Sequence, residues 1–151
     1  MKKYLLIIST LTVTLLCISC DNKSSVSTLK YNNPIIQHNC PDPTVIDDRA
    51  RTGYFYVFST QNCVSKNEDC VYLPVYKSTD LINWEFVSDG FGKGRPQWEP
   101  GSSIWAPDIN YINGKYVLYY SLGIWGDLHR SASGVAVSGK PEGPFEDVGM
   151  I

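Results

Sequence analysis

The apolar positions of this chain fall in short runs, and the order of the runs repeats. Pro41-Asp42-Pro43-Thr44-Val45-Ile46 is followed by the aromatic run Gly53-Tyr54-Phe55-Tyr56-Val57-Phe58-Ser59, then by Val75-Tyr76-Lys77-Ser78, then by Trp84-Glu85-Phe86-Val87. The same order returns at Pro107-Asp108-Ile109-Asn110-Tyr111-Ile112, with Lys115-Tyr116-Val117-Leu118-Tyr119-Tyr120-Ser121, Gly134-Val135-Ala136-Val137-Ser138 and Pro144-Phe145-Glu146-Asp147-Val148 behind it. Matched by residue type, Asp42 falls on Asp108, Ser59 on Ser121, Ser78 on Ser138 and Trp84 on Phe145. Such self-similarity signals a repeat architecture.

Each run is rich in Val, Tyr, Phe and Ile and is bounded by Gly, Pro, Asn or Asp, which is strand and turn chemistry. No segment keeps a long helical period. Asn113-Gly114 between apolar flanks predicts a two-residue hairpin turn, because both residues tolerate positive φ. The run 54–58 is apolar at successive positions rather than alternate ones, so it predicts a strand covered on both faces. Four-stranded antiparallel sheets in series, each needing a neighbour against either face, are the blades of a β-propeller. The chain is therefore read as all-β, with a first blade at about residues 41–90 and a second at about 104–149. Propellers close with about four to eight blades. Residues 34–151 are accordingly expected to be the N-terminal part of a longer propeller, cut short after its second blade.

The first residues have a different character. Lys2 and Lys3 precede an apolar stretch at residues 4–16, and Cys20 follows the small Ser19. This resembles a bacterial lipoprotein signal: residues 1–19 would be removed and Cys20 would carry the lipid, anchoring the chain rather than spanning the membrane. Cys17 stands where such signals usually have leucine. Residues 20–33, with their Ser and Asn, read as a tether. The expected destination is the cell envelope, periplasmic or surface.

Export changes how cysteines are read. Setting aside Cys17 and Cys20, Cys40, Cys63 and Cys70 lie in a disulfide-permissive compartment. Cys63 and Cys70 flank a short polar loop and are the expected pair, leaving Cys40 as a buried thiol. The three cysteines give no recognisable zinc spacing. A net charge of −2 without a run of Lys or Arg excludes the concentrated positive charge on which nucleic-acid binding depends. Aromatic residues make up 13% of the chain, as suits stacked sheets and sugar-binding surfaces.

The candidate chemistry comes from the repeat. First strands of propeller blades line the central channel, so Asp42 and Asp108 are expected to point into one funnel from adjacent blades. Two carboxylates in an aromatic-lined cleft suit glycosidic cleavage; each alone would be read as a turn cap.

Pro41-Asp42-Pro43-Thr44-Val45-Ile46, Ser78-Thr79-Asp80-Leu81-Ile82-Asn83-Trp84, Trp105-Ala106-Pro107-Asp108-Ile109 and Gly134–Ser138 with Gly143-Pro144-Phe145 together resemble glycoside hydrolase family 43. The stretch 101–121 with Ile124-Trp125-Gly126 is most similar to the family's endo-1,5-α-L-arabinosidases. The resemblance implies a five-bladed propeller and an inverting mechanism without a required cofactor. It implies Asp42 as general base and Asp108 as the carboxylate that modulates and orients the acid. The family's general acid is a Glu of the third blade, which no residue here supplies; Glu142 and Glu146 belong to the closing segment of blade two. The fragment alone is thus expected to be inactive. Arabinan or arabinoxylan oligosaccharides are the implied partners. Some family members hold a calcium ion near the channel through a later histidine, so a structural calcium in the full-length protein is compatible with the resemblance, and no metal ligand is assigned here.

Trp105, close to Asp108, is a candidate for stacking on a sugar face. His38, just before the Asp42 motif, is a weaker substrate-binding candidate, and His129 is expected in an exposed polar loop at 127–133. Two rivals remain on sequence alone. One is a β-xylosidase or α-L-arabinofuranosidase acting on arabinoxylan; the other is a non-catalytic glycan-binding propeller. An invertase-like retaining enzyme is disfavoured, since Cys40-Pro41 precedes Asp42 and Thr44 follows Pro43 where that group has Asn-Asp-Pro-Asn.

Overall fold

The computed structural model describes residues 30–62, 70–96 and 102–151. The signal segment 1–19, Cys20, most of the tether and Cys63 lie outside the described residues. Residues Tyr31–Ile151 form one compact unit.

Two four-stranded antiparallel sheets, each a simple meander, follow one another along the chain. The first contains β1 (Thr44–Asp47), β2 (Phe55–Phe58), β3 (Pro74–Ser78) and β4 (Glu85–Asp89). The second contains β5 (Ser103–Ile112), β6 (Lys115–Ile124), β7 (Asp127–Ser138) and β8 (Glu146–Met150). The expected hairpin is present: Asn113 and Gly114 have φ of 50° and 82°, and Ile112 pairs with Lys115 across them. Every residue of β2 is buried, as the unbroken apolar run required.

The sheets pack face to face. Tyr56 and Phe58 of β2 meet Ile104, Ile109, Leu118 and Tyr120 of the second sheet in one core cluster, which Phe91 and Phe145 close at the outer end. Edge-to-face ring pairs link Phe58 to Phe145 at 5.9 Å and Phe91 to Tyr120 at 5.3 Å. A Cβ on Gly134 would collide with the Tyr120 ring, so only glycine lets β7 cross that ring. The other face of the first sheet carries Val45 and Val57, which with residues 33–36, Leu81 and Trp84 line a cavity of about 430 Å³. Asn33, the last residue assigned to the tether, thus already belongs to the folded body.

Two features differ from expectation. A one-turn helix, α1 (Arg49–Thr52), joins β1 to β2 and ends on Gly53 at φ 86°. Residues 127–133, expected as a loop, form the start of β7: β6 and β7 run on as a long hairpin turning at Trp125-Gly126, with Leu122 paired to Ala132 and Gly123 to Ser131. His129 is exposed on that strand.

The pairing register also corrects the repeat. Both sheets carry a bulge at the same point of the third strand, Val75/Tyr76 and Val135/Ala136. Counted from there, Ser78 and Ser138 are equivalent, pairing with Phe55 and Tyr116. Phe58 then corresponds to Tyr119. Their partners on the first strands are Thr44 and Asp108, so the register equates Asp108 with Thr44 and not with Asp42. Counted back along the chain from that pair, Asp42 falls on Ala106, and these two residues share a left-handed backbone, at φ 49° and 43°. Thr60, not Ser59, falls on Ser121. Matching Pro-Asp to Pro-Asp is two residues out, because Pro107-Asp108 takes the strand positions of Pro43-Thr44.

Candidate active site

The inner edge of the fold is where β1 and β5 lie alongside one another. Asp42 sits just before β1. Its positive φ, uncommon for a residue with a side chain though tolerated by Asp, turns the carboxylate out of the strand direction. Asp42 and Asp108 are both exposed.

Their surroundings differ. Asp42 Oδ2 accepts a hydrogen bond from Thr60 Oγ1 at 2.9 Å, while Oδ1 accepts none from the described residues. Asp108 has both oxygens engaged: Asn110 Nδ2 donates to Oδ2 at 2.9 Å, and Thr44 Oγ1 approaches Oδ1 at 3.5 Å, a long and weak contact. One carboxylate is pinned by one oxygen and open at the other; the second is held firmly at Oδ2 and only loosely at Oδ1.

Thr60 ties these groups to the seam. It follows β2, its backbone N–H donates to Pro41 O at 3.0 Å, and its hydroxyl accepts the Ala106 N–H at 2.8 Å. Gln61 continues the seam, with its N–H on Ile104 O at 2.9 Å and its Oε1 accepting the Ile104 N–H at 3.1 Å. The two sheets are therefore joined by directed hydrogen bonds beside the carboxylates, not by apolar contact alone. Sequence reasoning missed Thr60. The only signal was a second hydroxyl residue next to Ser59 at the end of the aromatic run.

Trp105 is half-buried in β5 and packs edge-to-face on Trp125 at 6.1 Å. With Ile124, Gly126, Asp127 and Ser131 the two rings line a cavity of about 390 Å³. Trp125 is 90% exposed at the tip of the hairpin. His38 is exposed and lines a different cavity, with Asn62, Val71, Pro74, Tyr76 and Phe86. Trp84 caps a turn on the outer part of the first sheet, its Nε1 donating to Leu81 O at 3.1 Å. Cys70 is in a disulfide. Cys40 is a free thiol, half-buried rather than fully buried, and desolvation pushes its pKa up, which keeps it protonated.

Consecutive antiparallel four-stranded sheets, packed face to face with their first strands together at an inner edge, are the blades of a β-propeller. Residues 31–151 match Glycosyl hydrolases family 43, and the chain belongs to that family. The extracellular endo-α-(1→5)-L-arabinanase 2 of Bacillus subtilis is 30% identical over 124 residues, which cover 73% of this chain and 23% of that protein. The native Bacillus subtilis arabinanase Arb43A superimposes with a TM-score of 0.60 at 31% identity, over 76% of this chain and 38% of that one. The Cellvibrio cellulosa α-L-arabinanase in complex with arabinohexaose does so with a TM-score of 0.60 at 28% identity, over 77% and 36%. The two sheets are thus two blades of a five-bladed β-propeller. The chain spans roughly a quarter of the length of the curated relative it matches.

Proposed function

We propose that this chain supplies the base-bearing side of an inverting site that hydrolyses α-1,5-linked arabinan in an exported enzyme. The observation that carries the reading is the asymmetry of Asp42: one carboxylate oxygen is fixed by Thr60 and the other is open on the inner edge. A general base needs a positioned oxygen with a free lone pair aimed at water. In the proposed step Asp42 Oδ1 takes a proton from a water molecule as the water oxygen bonds to the anomeric carbon. The glycosidic C–O bond breaks on the opposite face, and the leaving oxygen receives a proton from an acid outside these residues. Asp108, fixed by Asn110 with Thr44 beside its other oxygen, serves orientation better than proton transfer. Trp105 supplies an apolar face for a sugar ring. The arabinanase relatives and the arabinohexaose complex support the substrate class, and the extracellular relative supports export. Anchoring through a lipid on Cys20 remains part of the proposal.

The test is arabinan hydrolysis by the full-length protein, wild type and Asp42→Asn, with the anomer of the first product followed by NMR. Inversion in the wild type and loss of hydrolysis in the variant are expected. A retained anomer, or an active D42N protein, would overturn the reading.

A further inference from the structure

Thr60 joins the carboxylate of the first blade to the backbone of the second through a single atom. Its hydroxyl oxygen accepts the Ala106 N–H at 2.8 Å, and its single proton goes to Asp42 Oδ2 at 2.9 Å. A hydroxyl has one proton to give. With the Ala106 N–H taken up on one side, the O–H bond is directed to the only acceptor on the other, and a β-branched side chain has few rotamers with which to escape. Bonds in series also polarise one another.

Resting on the reading of Asp42 as general base, we propose that Thr60 is a positioning residue for that base: it pins Oδ2 so that Oδ1 faces the attacking water, and it sets the carboxylate in register with the second blade. The backbone gives this independent support. Asp42 and Ala106 each lie two residues before the matched pair Thr44 and Asp108 and both are left-handed, so the residue bonded to both bridges the two positions where the inner edge departs from regular strand. Ala106 begins the bulge that delivers Asp108, so the same hydroxyl also steadies the approach to the second carboxylate. The cost to the fold of removing the hydroxyl is small, because Ala106 is exposed and water can take its N–H.

The experiment compares wild type, Thr60→Val, Thr60→Ser and Asp42→Asn in the full-length protein on linear arabinan, with melting temperature measured alongside. Thr60→Val keeps the shape and loses both bonds; kcat is expected to fall about 10- to 100-fold, the range one directed hydrogen bond to a charged group commands, while KM stays within about 3-fold. Thr60→Ser keeps the hydroxyl and should restore kcat to within about 3-fold. A purely structural role would lower the melting temperature without this split or rescue. If Asp42→Asn is inactive while Thr60→Val retains wild-type kcat, the inference fails and the assignment of Asp42 stands. Failure of Thr60→Ser to rescue likewise overturns it. If Asp42→Asn is active, the underlying reading falls first.

Discussion

The inner edges of the two sheets are built from similar words, Pro-Asp-Pro and Ala-Pro-Asp, yet they hold their carboxylates differently. In the first sheet the aspartate occupies the left-handed position before the strand, with one oxygen open. In the second the left-handed position is given to Ala106, and Asp108 is carried two residues further to the place of Thr44, where Asn110 holds one oxygen and Thr44 lies 3.5 Å from the other. A repeated strand scaffold thus offers a fixed set of positions, and which position receives the acid decides whether it is free to react or committed to holding its neighbours.

The largest effect should come from Asp42→Asn, expected to lower kcat on arabinan by about 10³-fold or more, within the range for loss of a general base. Asp108→Asn keeps a polar group between Asn110 and Thr44 and should cost only about 10-fold. Equal losses in the two variants would erase the distinction drawn between the sheets, and steady-state kinetics decides it.

Next in size is a change at the other end of the first strand. Asp48 is fully buried, paired with Arg51 and accepting a hydrogen bond from Tyr116 OH at 2.7 Å across the sheet interface. Tyr116→Phe should destabilise by about 2 kcal/mol in denaturant titrations, since it removes a buried hydrogen bond to a charged group. Burial and the Asp48 carboxylate push the Tyr116 phenol up from its ordinary value of 10.0 to about 12. The native state therefore keeps a proton that the unfolded chain releases, so stability is full below pH 10 and is lost as pH rises toward 12. Tyr56, raised by burial and Glu142, contributes in the same direction. Unfolding free energies between pH 9 and 12 should fall more gently in Tyr116→Phe than in wild type; parallel curves would contradict this origin of the alkaline loss.

The smallest effect belongs to the outer turn. The Asp80 carboxylate accepts backbone N–H bonds from Ile82 and Asn83 and is held well below the usual carboxylate range by them. Its contribution is present at neutral pH and is lost in acid below the ordinary Asp value. Being fully exposed, Asp80→Ala should lower the melting temperature only slightly at pH 7 and leave arabinan hydrolysis unchanged.

What the sequence made legible followed from local chemistry. The turn at Asn113-Gly114 and the two-sided burial of β2 each rest on a few adjacent residues, and both are present. The start of β7 was hidden because Asp127, His129, Arg130, Ser131 and Ser133 are polar, and Leu128 and Ala132 alone are too few to mark a strand. The helix Arg49–Thr52 is too short to show a period. The offset between Asp42 and Asp108 was hidden for another reason: register is set by pairing with other strands, which a match of Pro-Asp to Pro-Asp does not read. Thr60 was invisible on the same ground, since its importance comes from Ala106, which is remote in sequence and adjacent only across the seam.

The buried Asp48 has one more consequence, which concerns assembly. An interface of Tyr, Phe and Leu side chains can mate in more than one way at similar free energy, but a carboxylate with no access to water, already paired with the Arg51 guanidinium of its own helix, tolerates only the docking that also brings it the Tyr116 phenol. Asp48 follows β1 and Asp42 precedes it, so this ion works as an index pin. When it is seated below, Thr60 and Ala106 meet above, and the fidelity of the reactive end is inspected at the end that performs no chemistry.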